Sequence, residues 1–471
     1  MASSTYPELV WRQTSTGLWQ RSVDEIEKHY AILPVLYESS GLMFFAITGH
    51  VSLTVTQDPT TENWTKTYRQ FQDEADKEAW LKTTLVPVSS QQTGITWANS
   101  NPPAPKVPTL FVLSPPSNND GLVRRDLVLR SPHDIIDGIG TLTLLNNLIT
   151  HAAKAYSEGD AYKLPPFDGS EAANLSPPFA ANVPPSLTDA QQKRLADMSA
   201  QKTAAMETPG VEILDMPYRC GAAVPHRHQR VFRTLTETQT SALLKACKAA
   251  SATPTHAFHA AIALVLRDIQ PRGPVSKRVR YVNYILRNER SSCQAPYSSA
   301  EHPAALYHSV PGQSLVVDMD LPADGQDNAK SVQEEFLPIV QQMKDFYHGV
   351  RNDKEHYALA TDIWAAITPE LPAGPRPIPV PPPKAHPSVS ISSMGRVDGI
   401  IAPKNGAFEA HDPWVTGEEL GNGLGLFLGT FRGELCLSAA YNDAWHTEAD
   451  ILDFLKRCED VVFRGFGVDS S

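Results

Sequence analysis

Apolar and polar positions alternate along the first third of the chain in a way that predicts both strands and helices. Residues 22–40 have the periodicity of a helix. Runs rich in β-branched and aromatic residues, typical of strands, are residues 42–57, 109–116 and 121–131. The last run leads into Pro132 and His133, and apolar residues then recur at helical spacing from Leu142 to Ile149. The pattern predicts that His133 lies between the end of a strand and the start of a helix.

The second half of the chain also contains both predicted strands and predicted helices. A predicted strand near Arg230 is followed by a helix capped by Thr236 or Thr238 and by a second helix through Ala260 and Leu264. Further predicted strands are residues 278–289 and 313–322 and a hairpin that turns near Arg432 and Gly433. Further predicted helices are residues 331–350 and 447–462. Strands and helices interleaved in this way favour an α/β fold.

Two proline-rich segments interrupt these elements. Residues 164–186 contain paired prolines that favour an extended surface connection, and residues 371–387 have the composition of a semi-rigid polyproline spacer. At 471 residues the chain is long enough for two or three domains. We therefore expect an N-terminal lobe of residues 1–185, which carries His133, and a C-terminal lobe of residues 186–471, with residues 371–387 as a bridge.

Composition excludes several classes of protein. Hydrophobic residues make up 41% and charged residues 20%, and the formal net charge is -11, so no broad basic surface is available for nucleic acid. The N-terminal residues lack the apolar core of a secretion signal, and no run is long enough to span a membrane. The five cysteines are scattered, which favours reduced thiols. We expect a soluble, cytoplasmic, monomeric protein without a nucleic-acid or membrane partner.

Common catalytic and cofactor-binding motifs do not identify a functional site in this sequence. The sequence has no G-x-S-x-G elbow and no phosphate-binding P-loop, and the glycine-rich run from Gly421 continues into a predicted strand rather than a helix. His256 and His259 have helical i, i+3 spacing, but no acidic or cysteine partner is close in sequence, so ordinary helix histidines are favoured over metal ligands. We expect no metal site and no bound cofactor.

The segment "SPHDIIDG", which contains His133, Asp137 and Gly138, allows three interpretations. The two polar residues could stabilise a packed turn, bind a metal as a pair, or form part of a catalytic site. A metal needs at least three protein ligands, and this segment supplies two at most. The context of strand, histidine, aspartate, glycine and apolar helix favours the catalytic interpretation over a purely structural histidine.

This segment resembles the H-x-x-x-D-G motif of the coenzyme A-dependent acyltransferase superfamily, which includes chloramphenicol acetyltransferases, BAHD acyltransferases, condensation domains and trichothecene O-acetyltransferases. The resemblance extends to "SATPTHAFHAAIALVL" from Ser251 and to "SISSMGRVDG" from Ser390, and is closest to the trichothecene 15-O-acetyltransferase-like group. It implies two chloramphenicol-acetyltransferase-like αβ lobes with a tunnel between them. Pro132 stands where condensation domains carry a second histidine, and the BAHD signature D-F-G-W-G is absent.

The resemblance also implies roles for particular residues. His133 would be the general base, because an alcohol attacks a thioester at neutral pH only if a base removes its proton. Ser393 and the backbone of Gly395 would donate hydrogen bonds to the oxyanion. Asp137 would be structural and paired with Arg287. The remaining implied or candidate residues are Gly138, which would allow a tight turn into the helix, and Lys277, Arg278 and Arg280.

Those three cations form a basic cluster that could bind the phosphates of coenzyme A, although a solvated strand end is the favoured interpretation. The expected activity is transfer of a short acyl group, acetyl in the first instance, from acyl-coenzyme A as co-substrate to a hydroxyl of a small secondary metabolite. Three alternatives stay open. They are condensation-like transfer from an acyl carrier protein, cyclisation or isomerisation of a polyketide or terpenoid on the same fold, and a non-catalytic binding protein.

Overall fold

The computed structural model describes residues 6–36, 45–46, 53–57, 64–116, 123–164, 168–184, 186–222, 224–326, 330–370 and 387–469. Within these ranges the chain forms ten α-helices and nineteen β-strands. The helices are α1 (Glu25–Leu36), α2 (Glu74–Thr84), α3 (Gly94–Ala98), α4 (Gly138–Glu158), α5 (Asp189–Met206), α6 (Glu237–Ala249), α7 (Pro254–Asp268), α8 (Val332–Asn352), α9 (His356–Ile367) and α10 (Glu448–Phe466). The mixture of elements confirms the predicted α/β class.

The strands of the first half are β1 (Arg12–Ser15), β2 (Leu18–Ser22), β3 (Phe45–Ala46), β4 (Leu53–Gln57), β5 (Trp64–Arg69), β6 (Leu85–Val88), β7 (Thr109–Leu113) and β8 (Asp126–Pro132). Those of the second half are β9 (Val211–Ile213), β10 (His228–Thr234), β11 (Lys277–Asn283), β12 (Arg287–Asn288), β13 (His308–Ser309), β14 (Leu315–Leu321), β15 (Val389–Arg396), β16 (Lys404–Asn405), β17 (Phe408–Glu409), β18 (Leu424–Phe431) and β19 (Glu434–Asn442).

The strands form several small sheets. Two four-stranded sheets, ordered β1-β2-β5-β4 and β3-β8-β7-β6, are built from the first half of the chain, and the second of them contains the strand that precedes His133. A four-stranded sheet β10-β19-β18-β15 and a three-stranded sheet β14-β11-β9 belong to the second half. Strands β15 and β18 are parallel, whereas β18 and β19 form an antiparallel hairpin. Two short two-stranded pairs, β12-β13 and β16-β17, complete the arrangement of the described strands.

Local sequence signals explain where many elements begin and turn. Thr236 caps α6 by accepting from the backbone N–H of Gln239, which agrees with one of the two predicted caps. Similar capping boxes start α5, α7, α8 and α10. The β18–β19 hairpin turns at Arg432 and Gly433, as predicted, and both have positive φ angles, +50° and +80°. Two positive φ angles suit the twist of a tight hairpin.

Two hydrophobic clusters dominate the interior. The larger one is formed by residues from Leu214 to Phe463 and encloses α7, whose residues from His256 to Arg267 are all buried. The second cluster joins α1, α5 and α9 with the segment around Tyr307. Because this second cluster combines residues from before and after residue 185, the two predicted lobes share a packed interior. The boundary at residues 185 and 186 itself stays a prediction.

Some sequence predictions need correction or lie outside the described residues. The strand predicted over residues 278–289 ends at Asn283, and Arg287 begins the separate short strand β12. Of the predicted bridge, residues 371–386 lie outside the described ranges. All five cysteines are free, and three of them are buried. In the part of the chain that the structure describes, no helix combines the length and the apolar character needed to cross a bilayer.

Candidate active site

His133 lies in a short turn between the end of β8 and the start of α4, as the sequence predicts. β8 pairs with β7 on one side and with β3 on the other, so the backbone that leads to His133 is hydrogen-bonded on both edges. The turn itself is held by Lys66, whose Nζ donates a hydrogen bond to the carbonyl oxygen of Asp134 at 3.0 Å. His133 therefore lies on a fixed segment of backbone.

The imidazole of His133 lies among other aromatic rings. It stacks on the ring of Tyr30, with the centroids 3.9 Å apart and the planes at 13°. The ring of His308 is 5.8 Å away. Burial, together with repulsion by His308, lowers the pKa of His133 from its ordinary 6.5 to about 3. The ring is therefore neutral at pH 7, which is the form that can accept a proton.

Asp137 is a structural anchor. Its Oδ1 accepts a hydrogen bond from the backbone N–H of Gly140 at 2.8 Å and so caps α4. Its Oδ2 accepts from Nη1 of Arg290 at 2.9 Å and from the backbone N–H of Tyr307 at 2.8 Å. Burial alone would raise the pKa of Asp137, but Arg290 and His308 hold it far below its ordinary range. These contacts support the expected structural role and not a catalytic triad with His133.

The expected pairing of Asp137 with Arg287 is wrong. Nη1 of Arg287 donates to the backbone carbonyls of Val350 and Asp353, both at 3.0 Å, and its Nε lies 3.3 Å from the carboxylate of Glu289. The prediction assumed that an apolar strand continues to Arg287. Because that strand ends at Asn283, the chain has turned before it reaches the arginine, and the ion pair is made by Arg290 instead.

The glycine that the fold requires at this helix start is Gly140 rather than Gly138. A Cβ on Gly138 would make only ordinary contacts, 3.5 Å from Val415, so the expected tight-turn role does not explain this glycine. A Cβ on Gly140 would collide with the carbonyl oxygen of Pro303 and would lie 2.8 Å from the side chain of Ile136. The close approach of α4 to the chain at Pro303 thus depends on Gly140.

Ser393 and Gly395 lie near the end of β15, where the pairing with β18 is irregular. The sulfur of Met394 is 3.7 Å from the position that a Cβ on Gly138 would occupy, so this strand end packs against the first turn of α4. The hydroxyl of Ser393 is hydrogen-bonded to Thr255 at the start of α7, with the oxygens 2.9 Å apart. Gly395 has a φ of +65°. The structure thus brings the two predicted segments together, and the oxyanion role stays a prediction.

The three cations proposed for coenzyme A all have acidic partners. Lys277 pairs with Glu212 at 3.2 Å, Arg278 with Asp320 at 2.8 Å and Arg280 with Asp318 at 2.6 Å. Arg280 also donates to the carbonyl of Ala205 and the hydroxyl of Thr208. These ion pairs remove the local excess of positive charge on which the expectation was based. That the phosphates of a donor reach these cations stays a prediction.

Tyr30, His308 and Arg290 complete the site, and sequence reasoning did not identify them. Arg290 lies three positions after Arg287 in the sequence, so the missing information was where the preceding strand ends. Tyr30 follows Ile26 and Glu27 on one face of α1, and this spacing indicates an inward face but not what the face contacts. His308 lies in a short strand without a motif of its own.

Two hollows on the described surface lie away from the motif. One of about 420 Å³ is lined by residues of α6 together with Gly433. Another of about 330 Å³ is lined by residues of α5, by the start of β14 with the two residues before it, and by Phe346 of α8. The tunnel that the resemblance implies therefore stays a prediction. The arrangement offers a neutral imidazole on a fixed turn, followed by a helix whose first turn packs against the strand end that carries Ser393. A neutral imidazole can accept a proton, which general-base chemistry requires.

Comparison with known proteins places this architecture in the acyltransferase and condensation-domain fold. The structure is similar to TRI3 trichothecene 15-O-acetyltransferase from Fusarium sporotrichioides, with a TM-score of 0.75 and 16% identity, covering 97% of this chain and 98% of that protein. It is also similar to the condensation domain of the Monacolin K polyketide synthase MokA, with a TM-score of 0.51 and 11% identity over 96% of this chain and 99% of that domain. The expected fold is confirmed.

A relative identified by sequence similarity is also an acetyltransferase. Acetyltransferase pigO from Monascus ruber is 23% identical over 399 residues, which is 83% of this chain and 78% of the relative. No family model matches the chain.

Proposed function

We propose that this protein is an O-acyltransferase that moves a short acyl group, acetyl in the first instance, from coenzyme A to a hydroxyl of a secondary metabolite. The observation that carries the proposal is the position of the His133 imidazole on a fixed turn between β8 and α4. The fold supports it, because two of the similar proteins are acetyltransferases, TRI3 and pigO.

In the proposed reaction His133 removes the proton of the acceptor hydroxyl as its oxygen attacks the thioester carbonyl. A tetrahedral intermediate forms and then collapses, and the carbon–sulfur bond breaks. The imidazolium returns the proton to the departing thiolate, so the products are the ester and free coenzyme A. His133 ends neutral, as it began, and no covalent acyl-enzyme forms.

The negative oxygen of the intermediate needs hydrogen-bond donors that are placed in advance. Ser393 and the backbone N–H of Gly395 are our candidates, because their strand end packs against the first turn of α4. The hydroxyl of Ser393 shares a hydrogen bond with Thr255 in the resting protein. If Thr255 accepts in that bond, the Ser393 proton must be redirected when the oxyanion develops. We therefore expect Ser393→Ala to lower the rate less than His133→Ala does.

The test combines two measurements on the whole chain. Wild-type protein is incubated with acetyl-coenzyme A and a panel of hydroxylated terpenoids and polyketides, and free thiol and product mass are followed. We expect thiol release together with a product heavier by one acetyl unit. His133→Ala should lower the rate about 100-fold or more. The control is His151→Ala, which removes an exposed histidine from α4 and should leave the rate unchanged.

Other outcomes contradict particular parts of the proposal. A product of unchanged mass with altered retention indicates cyclisation or isomerisation instead of acyl transfer. Absence of acetyl-coenzyme A binding by calorimetry excludes this donor and leaves a carrier protein as the source. A rate for His133→Ala equal to that of wild type removes His133 as the base, and an effect of Ser393→Ala confined to acceptor affinity makes Ser393 a pocket wall.

A further inference from the structure

Four rings from distant parts of the chain pack together at His133. Tyr30 comes from α1, His308 from β13 and Trp364 from α9. Tyr30 stacks on His133, whereas Trp364 meets the ring of His308 edge-on at 5.6 Å. The ring of Trp364 is tilted against that of Tyr30, with the centroids 5.7 Å apart. Tyr30, His308 and Trp364 are all buried. The ring of Tyr30 is therefore held by other rings while one face covers the imidazole of His133.

A chain of polar contacts connects this stack to the aspartate of the motif. The hydroxyl of Tyr30 and Nε2 of His308 are 2.9 Å apart. The two groups form a hydrogen bond, and the tautomer of the His308 ring decides which of them donates. Nδ1 of His308 lies 3.8 Å from Oδ2 of Asp137, which is close enough for electrostatic attraction but too long for a hydrogen bond. Asp137 is in turn fixed by Arg290.

A buried ionic network fixes α1 against the turn that carries His133. Glu27, one turn before Tyr30 on α1, accepts from Arg21 and from Lys66, with shortest distances of 2.6 Å in both cases. Lys66 also donates to the carbonyl of Asp134, the residue after His133. All three charged side chains are nearly inaccessible. The helix that supplies Tyr30 and the turn that supplies His133 therefore share one anchor.

We propose that Tyr30 and His308 are positioning residues that fix the plane of the His133 imidazole, Tyr30 by stacking on it and His308 by holding the Tyr30 hydroxyl. This inference rests on the proposed function of His133 as a base. An imidazole can rotate about its Cβ–Cγ bond, and rotation turns its nitrogens away from the acceptor hydroxyl. A flat ring at stacking distance resists that rotation, which is what holding a near-attack geometry requires.

The activity test separates the ring of Tyr30 from its hydroxyl. Tyr30→Leu removes the stack and should lower kcat about 100-fold, the scale expected for a misplaced reacting group, with little change in KM. Tyr30→Phe keeps the ring and should lose less. His308→Gln can still form a hydrogen bond with the Tyr30 hydroxyl, so it should retain more activity than His308→Leu. Tyr297→Leu, which removes a tyrosine ring packed against the same hydrophobic cluster, is the matched control.

A second measurement does not depend on activity. In a ring stack, the protons of the His133 imidazole are shielded, so proton NMR of histidine-labelled protein should show them upfield of the protons of exposed His151. His133→Ala assigns the signal. We expect the upfield shift in wild type and in Tyr30→Phe, and its loss in Tyr30→Leu. Thermal unfolding of every variant shows which ones are folded.

These outcomes separate the inference from the proposed function. Wild type without the upfield shift overturns the stack, even if Tyr30→Leu fails to fold. If the His133 signal keeps its upfield position in Tyr30→Leu while kcat falls, positioning by the stack is not the reason for the loss of activity. Unchanged kcat after the stack is lost also overturns the inference. If the shift behaves as expected but wild type transfers no acyl group, the proposed function fails and the stack remains established.

Discussion

Oδ2 of Asp137 lies 2.9 Å from Nη1 of Arg290, across 153 positions of sequence. The same carboxylate caps α4 and accepts the backbone N–H of Tyr307. One buried aspartate thus joins the helix that follows His133 to the segment that carries His308. This explains why the aspartate and not a neutral residue stands at this position: only a carboxylate can accept from the helix, the backbone and a guanidinium together.

Loss of either member of this ion pair should destabilise the fold. Asp137→Ala and Arg290→Ala are each expected to lower the free energy of unfolding by about 3–5 kcal/mol, because each leaves its partner charged and buried. The double variant should lose less than the sum of the two, as chemical denaturation of all three variants would show.

Arg287 supplies the control for that cycle. Its guanidinium contacts the carbonyls of Val350 and Asp353 and the carboxylate of Glu289, and these groups are separate from the ion pair of Asp137. The effect of Arg287→Ala should therefore combine with that of Asp137→Ala more nearly additively than the effect of Arg290→Ala does. Stronger coupling of Asp137 to Arg287 than to Arg290 would contradict the pairing described here.

The two glycines at the start of α4 should differ in their tolerance of a methyl group. Gly140→Ala places a Cβ against the carbonyl of Pro303 and should lower stability by about 1–3 kcal/mol, as overpacking does. Gly138→Ala meets Val415 at 3.5 Å and should be close to neutral. Melting temperatures of the two variants measured side by side test this, and equal destabilisation would show that Gly138 is also required.

The pH dependence of the rate should lack the acidic limb of an ordinary histidine. The pKa of His133 is lowered to about 3, so the neutral ring persists as the pH falls from about 8 to about 5. We expect kcat/KM, which reports groups of the free enzyme, to stay level over that range on account of this residue. A fall with its midpoint near the ordinary pKa of 6.5, in protein that circular dichroism shows to be folded, would contradict the environment described for His133.

The buried network at Glu27 should contribute to stability in a pH-dependent way. Burial alone would raise the pKa of Glu27, but Arg21 and Lys66 lower it from 4.5 to about 2. A lowered acid pKa gives stability that is present above 4.5 and is lost as the pH falls towards 2. Glu27→Gln should cost about 3–5 kcal/mol at pH 7, as breaking a buried pair does.

The comparison of wild type with Glu27→Gln provides its own control at low pH. The difference in unfolding free energy between wild type and Glu27→Gln should shrink as the pH falls from 4.5 to about 2, because the wild-type carboxylate then becomes protonated as well. A difference that stays constant over this range would show that the loss comes from packing and not from the charge of Glu27.

The elements around His133 and their order could be predicted from the sequence. Apolar periodicity and β-branched runs indicate β8 and α4, and the position of His133 between them follows directly. The cap at Thr236 and the hairpin turn at Arg432 and Gly433 were also predictable. These features depend on interactions between residues close in sequence, such as capping and turn geometry, so local patterns are enough to specify them.

The residues that contact His133 and Asp137 from distant segments could be identified only in the folded chain. Arg290 could be identified as the partner of Asp137, in place of Arg287, only when the position at which β11 ends was known. A small error in a strand end changes which side chain faces inward. The stack of Tyr30 on His133 and the contact of Tyr30 with His308, 278 positions away, leave no periodic trace in the sequence. Such contacts depend on how separate elements pack, and packing is set by the combined shape of many side chains and not by any one segment.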